Sequence, residues 1–154
     1  MDNQEIQAIL KTQIHKITPY VSIDCVILFG SRARNDNMRY SDIDLTIVGA
    51  FKEDFIHRSS IILENFDIKL IKLGIDTFCY TPNEFKMMFY EGIVSILDAI
   101  DHGICLFGQE FFLNYQKKLK YFKSKGLKRD PPVWIIPKEM VLKDNVWPLR
   151  SNQW

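Results

Sequence analysis

Hydrophobic side chains recur along most of the chain at spacings that alternate between those of helices and those of strands. Over residues 3–17 the apolar positions lie three or four residues apart, which predicts a helix, and Pro19 ends it. Similar stripes predict helices over residues 51–66, 93–103 and 111–126. The helical content is therefore spread along the chain and is not confined to one end.

A further helix start is marked by its capping residues. Thr81 is a suitable N-cap, Pro82 suits the first helical position and Glu84 stands three residues after the threonine. This pattern predicts a helix within residues 81–92.

Runs of β-branched and apolar residues predict four strands. Residues 21–30 are apolar on both alternating sets of positions, as in a strand that is buried on both faces. Residues 41–48 alternate between polar and apolar, and residues 75–81 and 104–108 are shorter runs next to glycine or proline. Strands and helices along one compact chain indicate an α+β fold.

From Asp130 onwards the apolar residues no longer follow the spacing of a helix or a strand. Residues 130–154 contain four of the six prolines and all three tryptophans. Because proline opposes helices and central strands, this segment is predicted to be an extended arm whose rings are buried on a preformed surface. The sequence leaves open whether that surface belongs to the same chain or to a second copy in a homodimer.

Composition indicates a soluble domain in the cytoplasm. The chain has 154 residues, of which 47% are hydrophobic and 25% charged, and no apolar run is long enough to span a membrane. Its first residues are polar, unlike a secretory signal. Its three cysteines lie in apolar settings without a CxxC pair, which favours reduced thiols over disulfides or zinc.

Charge is distributed unevenly along the chain. Residues 1–108 carry 10 basic and 15 acidic side chains, whereas residues 109–154 carry 10 basic and 4 acidic ones. Residues 117–129 hold most of the excess, and Tyr121 and Phe122 lie among the lysines. Such a segment either binds nucleic acid or forms the solvated face of an amphipathic helix, and the second interpretation is favoured.

Two aspartates occupy one face of the predicted strand over residues 41–48. Side chains two positions apart on a strand point the same way, so Asp42, Asp44 and Thr46 share a face. Neighbouring carboxylates repel each other, and a Mg²⁺ ion, which prefers oxygen ligands, relieves that repulsion. An exposed edge strand with a solvated polar face is the alternative.

A candidate phosphate site precedes the aspartates. Gly30 and Ser31 follow the buried strand directly, and a glycine there lets backbone N–H groups approach an anion closely. Arg32, Arg34 and Arg39 lie within reach of such an anion. A simple tight turn at Gly30 and a solvated surface position for Arg39 are the alternatives.

The stretch "GSRAR", a spacer and "SDIDL" resemble the signature of the nucleotidyltransferases of the DNA polymerase beta superfamily, and specifically its minimal nucleotidyltransferases. The resemblance spans roughly residues 22–108. It implies a polymerase-beta-like fold, with a mixed β-sheet and helices on one face, over residues 1–108. Residues 109–154 would form an appended basic helix and arm. Asn35 stands where the family has glycine, and asparagine tolerates positive φ.

The resemblance also implies roles for individual residues. The nucleotide would be bound by Gly30, Ser31, Arg32, Arg34 and Ser41. Two Mg²⁺ ions, with Mn²⁺ as a substitute, would be held by three catalytic carboxylates: Asp42, Asp44 and a third acid on a later strand. Asp76 fits that third position best, and Asp67 is the alternative.

The implied activity is transfer of a nucleoside monophosphate, AMP in the first instance, from a nucleoside triphosphate to a hydroxyl group. Related minimal nucleotidyltransferases pair with helical proteins of the HEPN class as antitoxin and toxin, and some modify a tyrosine of that partner. The sequence lacks the HEPN RNase motif around its histidines, so it would be the transferase of such a pair. A non-catalytic binding module with the same fold and a nucleic-acid-binding protein are the alternative functions.

Overall fold

A computed structural model describes residues 1–38 and 41–137 of the chain. The helices are α1 (Asn3–Ile17), α2 (Ser31–Arg34), α3 (Phe55–Glu64), α4 (Ile68–Leu73), α5 (Pro82–Tyr90), α6 (Val94–His102) and α7 (Gln109–Ser124). The strands are β1 (Ile23–Phe29), β2 (Ile43–Gly49), β3 (Ile75–Tyr80), β4 (Ile104–Phe107), β5 (Lys128–Asp130) and β6 (Val133–Ile135). No helix among these residues is long and apolar enough to cross a membrane.

The first four strands form one sheet in the order β3-β2-β1-β4. β1 pairs antiparallel with both β2 and β4, whereas β2 and β3 are parallel, so the sheet is mixed, as predicted. Strand β1 lies inside the sheet and is buried on both faces, which confirms the interpretation of its continuous apolar run.

Helices cover both faces of the sheet, which corrects the expectation of helices on one face. Val26 and Leu28 of β1 pack in a hydrophobic cluster with α1, α3 and α4. Cys25 and Ile27, which alternate with them, pack in a second cluster with α5, α6 and α7. A strand with apolar residues on both faces needs a helical layer on each side, because a solvent-facing layer would leave half of those side chains in water.

Helix boundaries follow the capping residues. The predicted capping box of α5 is present: Thr81 Oγ1 accepts a hydrogen bond from Glu84 N, and Glu84 Oε1 accepts one from Thr81 N. The helix predicted over residues 51–66 is shorter, because Asp54 caps α3 and the helix starts at Phe55. Helix α4 was not predicted from the sequence, since only six residues form it.

The C-terminal segment contains a hairpin that corrects part of the extended-arm prediction. Strands β5 and β6 pair antiparallel, with Pro131 and Pro132 in the turn between them. Proline is compatible with this position because a turn does not need its missing N–H. Trp134 on β6 is buried in the cluster of α5, α6 and α7. Trp147 and Trp154, with the rest of the predicted arm, lie outside the described residues.

Candidate active site

Three strands bring the predicted acidic residues to one edge of the sheet. Asp44, near the start of β2, stands opposite Phe29 at the end of antiparallel β1. On its other side Asp44 stands opposite Asp76 in parallel β3. Asp42 immediately precedes β2. The end of β1 and the starts of β2 and β3 therefore meet at this edge, which we call the carboxylate edge (Asp42, Asp44 and Asp76).

The turn after β1 lies against Asp44. Gly30 has φ 74°, and a Cβ atom at this position would lie 2.4 Å from Asp44 Oδ2. A side chain is therefore excluded here on two counts, namely the backbone conformation and the space. Ser31 follows as the first residue of α2, and Asn35 ends that turn of helix in the left-handed conformation with φ 63°. Asparagine thus takes the conformation expected of it in place of glycine.

A second glycine makes room for Asp42. Gly74 has φ 90°, and a Cβ atom there would lie 2.4 Å from Asp42 Oδ1. Its carbonyl oxygen accepts a hydrogen bond of 2.9 Å from Ile43 N, which ties the start of β3 to the start of β2. Sequence reasoning overlooked Gly74 as a site residue, although a glycine directly before an acid-bearing strand is the kind of signal that marks a close approach.

The carboxylates of the edge influence one another. Burial raises the pKa of Asp44, and the charges of Asp76 and Asp42 raise it further, while Arg34 acts in the opposite direction. A partly buried carboxylate between two others is strained by repulsion unless a cation joins them. The carboxylate edge therefore has a local excess of negative charge that a cation would offset.

The donor set fits a hard divalent cation by its chemistry. All three side chains of the carboxylate edge offer oxygen atoms, which Mg²⁺ prefers, and two glycines leave space beside them. In the part of the chain that the structure describes, no three His, Cys, Asp or Glu side chains stand in a ready metal-binding arrangement. An ion at the carboxylate edge would therefore require these side chains to rearrange.

Arg34 is the arginine that acts on the carboxylate edge. Its Nε donates to Asp36 Oδ2 at 3.0 Å, and its Nη1 lies 3.4 Å from His102 Nε2. Its charge lowers the pKa of Asp44, against burial and the charges of Asp76 and Asp42. Arg39 lies outside the described residues.

Arg32 contacts the backbone of Ser41, the residue directly before Asp42. Arg32 is buried, with its Nε donating to Ser41 O at 2.9 Å and its Nη1 donating to Asn3 Oδ1 at 3.0 Å. The hydroxyl of Ser41 accepts a hydrogen bond of 2.8 Å from Met38 N. These contacts are internal to the protein, and the roles of both residues in nucleotide binding stay predictions.

Asp67, the alternative third acid, is placed elsewhere. It is the N-cap of α4, where its Oδ1 accepts a hydrogen bond of 2.8 Å from Lys69 N. Asp76 instead lies exposed on β3, directly opposite Asp44. Of the two candidates, Asp76 is the one at the carboxylate edge.

The family model of Polymerase beta, Nucleotidyltransferase matches residues 4–110. The chain belongs to this family. Membership confirms the resemblance that the sequence motif implied, together with the α+β fold, and makes the protein a nucleotidyltransferase. The matched residues of this chain include every strand of the mixed sheet and all three acids of the carboxylate edge.

Solved structures are similar to this nucleotidyltransferase. One is the crystal structure of a toxin-antitoxin with AMP-PNP, whose sequence is 18% identical to this one and whose TM-score is 0.52. The match covers 75% of this chain and 87% of that chain. The toxin-antitoxin MntA-HepT is 16% identical with a TM-score of 0.47, and the match covers 75% and 85% of the two chains. No curated protein matches the sequence.

His102 is a second residue of this nucleotidyltransferase that the sequence did not single out. It ends α6, and its ring meets Arg34 although 68 positions separate the two in the chain. No local motif connects them, because the contact arises only when α6 packs on the sheet beside α2.

Proposed function

We propose that the protein transfers AMP from ATP to a hydroxyl group in a reaction that depends on Mg²⁺, with Mn²⁺ as a substitute. One observation carries the proposal: Asp44 lies between the Gly30 turn at the end of β1 and Asp76 on β3. The turn proposed to bind phosphate and the acids proposed to hold metal thus share one edge of the sheet, and the chain belongs to a nucleotidyltransferase family.

The residues of the chain have separate tasks in this proposal. The backbone N–H groups and hydroxyl of Gly30 and Ser31 bind the phosphates, and the guanidinium of Arg34 offsets their charge. Arg32 and Ser41, which are joined by a hydrogen bond beside Asp42, complete the proposed nucleotide-binding set. Asp42, Asp44 and Asp76 would hold two divalent ions, which would lower the pKa of the acceptor hydroxyl and offset charge on the triphosphate.

The chemical step is an in-line displacement at the α-phosphorus. The acceptor oxygen forms a bond to phosphorus while the bond from phosphorus to the bridging oxygen breaks, and pyrophosphate leaves with those electrons. The proton of the acceptor hydroxyl passes to the carboxylate of Asp76, which is exposed and therefore accessible to an incoming substrate.

We further propose that the acceptor is a tyrosine of a helical HEPN-type partner, and that the protein acts as its antitoxin. The support is that the fold is shared with a toxin-antitoxin crystallised with AMP-PNP. In the proposed domain arrangement residues 1–108 form the catalytic unit. Residues 109–154 form the appended helix and arm, whose last part joins two chains as a homodimer.

Incubation with each α-labelled nucleoside triphosphate and Mg²⁺, with and without a co-expressed HEPN-type protein, tests the proposal. Mass spectrometry should find AMP on a tyrosine of the partner. Asp76→Asn should bind the triphosphate and fail to transfer, whereas Asp67→Asn should transfer normally because Asp67 caps α4. Transfer that survives Asp76→Asn and disappears in Asp67→Asn would contradict the assignment.

A further inference from the structure

We propose that His102 is a positioning residue for Arg34: its neutral ring accepts an N–H from the guanidinium and directs it towards the phosphate site. The inference rests on the proposed function, because it deepens the role of Arg34 there. Arg34 Nη1 and His102 Nε2 are 3.4 Å apart. Asp36 Oδ2 holds Nε of the same guanidinium at 3.0 Å, so two contacts orient it.

The chemistry of arginine determines which side chain donates and which accepts in this contact. A guanidinium carries five N–H donors and no acceptor, so the ring nitrogen facing it must present a lone pair. His102 therefore carries its proton on Nδ1 and is uncharged. A second ring proton would place two cations side by side and displace Arg34 from the carboxylate edge.

The surroundings of His102 keep it uncharged. Burial lowers the pKa of the imidazole and the positive charges of Arg34 and Arg129 lower it further, while Asp98 and Asp101 oppose them. Both acids are already paired with basic residues. Arg129 Nε and Nη2 lie 2.8 and 3.1 Å from the two carboxylate oxygens of Asp98, and Lys123 pairs with Asp101.

This arrangement gives the basic C-terminal segment a role at the site. Arg129 is on β5 and Lys123 is on α7, and Trp134 on β6 donates from Nε1 to Asp98 Oδ1 at 2.8 Å. The hairpin and α7 thus neutralise the acids of α6 that would otherwise favour a protonated His102. Part of the excess positive charge after residue 108 is used inside the protein for this purpose.

The expected consequence is a pH-dependent nucleotide affinity. Because the pKa of His102 is lowered, the neutral ring persists below the ordinary histidine value of about 6.5 and is lost as pH falls further. Affinity for a triphosphate should therefore fall by roughly five- to tenfold on the acid side of that titration. A His102 that bound phosphate directly as a cation would give the opposite trend.

Calorimetric titration of the full-length protein with AMP-PNP and Mg²⁺, repeated from mildly acidic to neutral pH, tests the proposal. His102→Gln keeps an acceptor that does not titrate, so its affinity should lose the pH dependence of the wild type. His57→Gln is the matched control, since His57 on α3 is exposed and pairs with Asp54, the N-cap of that helix. The titration of the nucleotide itself is common to all three proteins and cancels in the comparison.

Nuclear magnetic resonance of the unliganded protein separates the two proposals. The ¹⁵N shifts of the ring should show His102 Nε2 without a proton, and Arg129→Gln should raise the pKa of His102 because Asp98 loses its partner. A proton on Nε2, parallel pH profiles for wild type and His102→Gln, or an affinity that rises in acid would overturn the positioning role. Absence of triphosphate binding at every pH would overturn the proposed function and this role with it, whatever the ring shifts show.

Discussion

At the scale of single residues, the geometry of the carboxylate edge depends on Gly30. Alanine there would be strained by the positive φ and would meet Asp44 Oδ2 at 2.4 Å. We expect Gly30→Ala to lower the free energy of unfolding by about 1–3 kcal/mol and to abolish nucleotide binding. Thermal denaturation and calorimetry measure the two effects.

Gly92→Ala is the control for this substitution. Gly92 also has positive φ, 72°, but it follows α5 and is not part of the carboxylate edge. The control carries the strain of the positive φ without the contact to Asp44, so it should lose less stability and keep nucleotide binding. Equal binding by both variants would show that the contact between Gly30 and Asp44 is irrelevant to the site.

The site residues that belong to one short sequence motif could be predicted from the sequence. Gly30, Ser31, Asp42 and Asp44 lie within fifteen positions, and strand periodicity alone puts the two aspartates on one face. The burial of Arg32 could not be predicted, because it depends on Asn3 at the start of α1. Contacts between distant elements carry no local signal.

At the scale of elements, Arg58 and Glu84 fasten α3 to α5 beside β3. Arg58 is buried, and its Nη1 donates to Glu84 Oε1 at 2.6 Å and to Cys79 O at 3.1 Å. Burial alone would raise the pKa of Glu84, but hydrogen bonds from Arg58 and Thr81 outweigh it and the pKa is lowered.

Replacement of Glu84 should therefore have a pH-dependent cost. A carboxyl with a lowered pKa in the folded state contributes stability above its ordinary pKa, and that contribution is lost as pH falls through the lowered value. We expect Glu84→Gln to cost about 1 kcal/mol at neutral pH, since the pair is partly exposed, and less in acid. Glu91→Gln, exposed at the end of the same helix, should cost little at either pH. A penalty for Glu84→Gln that does not shrink in acid would contradict the role of the ion pair.

Elements were predictable where a long apolar pattern or a capping box marks them, as in α1 and α5. The pattern over residues 51–66 overestimated α3 because apolar Phe51 continues the stripe but packs in the core before the helix begins. The hairpin of β5 and β6 escaped prediction because its strands have three residues each, too few for alternation to be visible.

At the scale of the whole molecule, the appended C-terminal segment is in part integral to the domain. Helix α7 buries Phe112, Tyr115, Leu119 and Phe122 in the same cluster as α5 and α6, while most of its lysines face outwards. The cohesion of this layer depends on aromatic packing, with Tyr115 in contact with both Phe85 and Phe89.

The proposed homodimer is tested by deletion of residues 138–154, which leaves α7 and the hairpin intact. The deleted segment carries Trp147, Trp154 and Pro148, whose rings need an apolar surface. We expect light scattering to give a dimer for the full-length protein and a folded monomer for the shortened one. A full-length protein that is monomeric at high concentration would contradict the dimer.

Triphosphate binding with and without Mg²⁺ tests the central claim most directly. Calorimetry with AMP-PNP should give tight binding to the wild type with Mg²⁺ and none in EDTA, and Asp44→Asn should weaken binding at least about 100-fold. Asp44→Asn should not lower the melting temperature of the metal-free protein, because it removes a partly buried charge and its repulsion by Asp76 and Asp42, which together raise the pKa of Asp44. Asp24→Asn, exposed on neighbouring β1, should bind like the wild type. Equal affinity in Mg²⁺ and in EDTA would contradict the account.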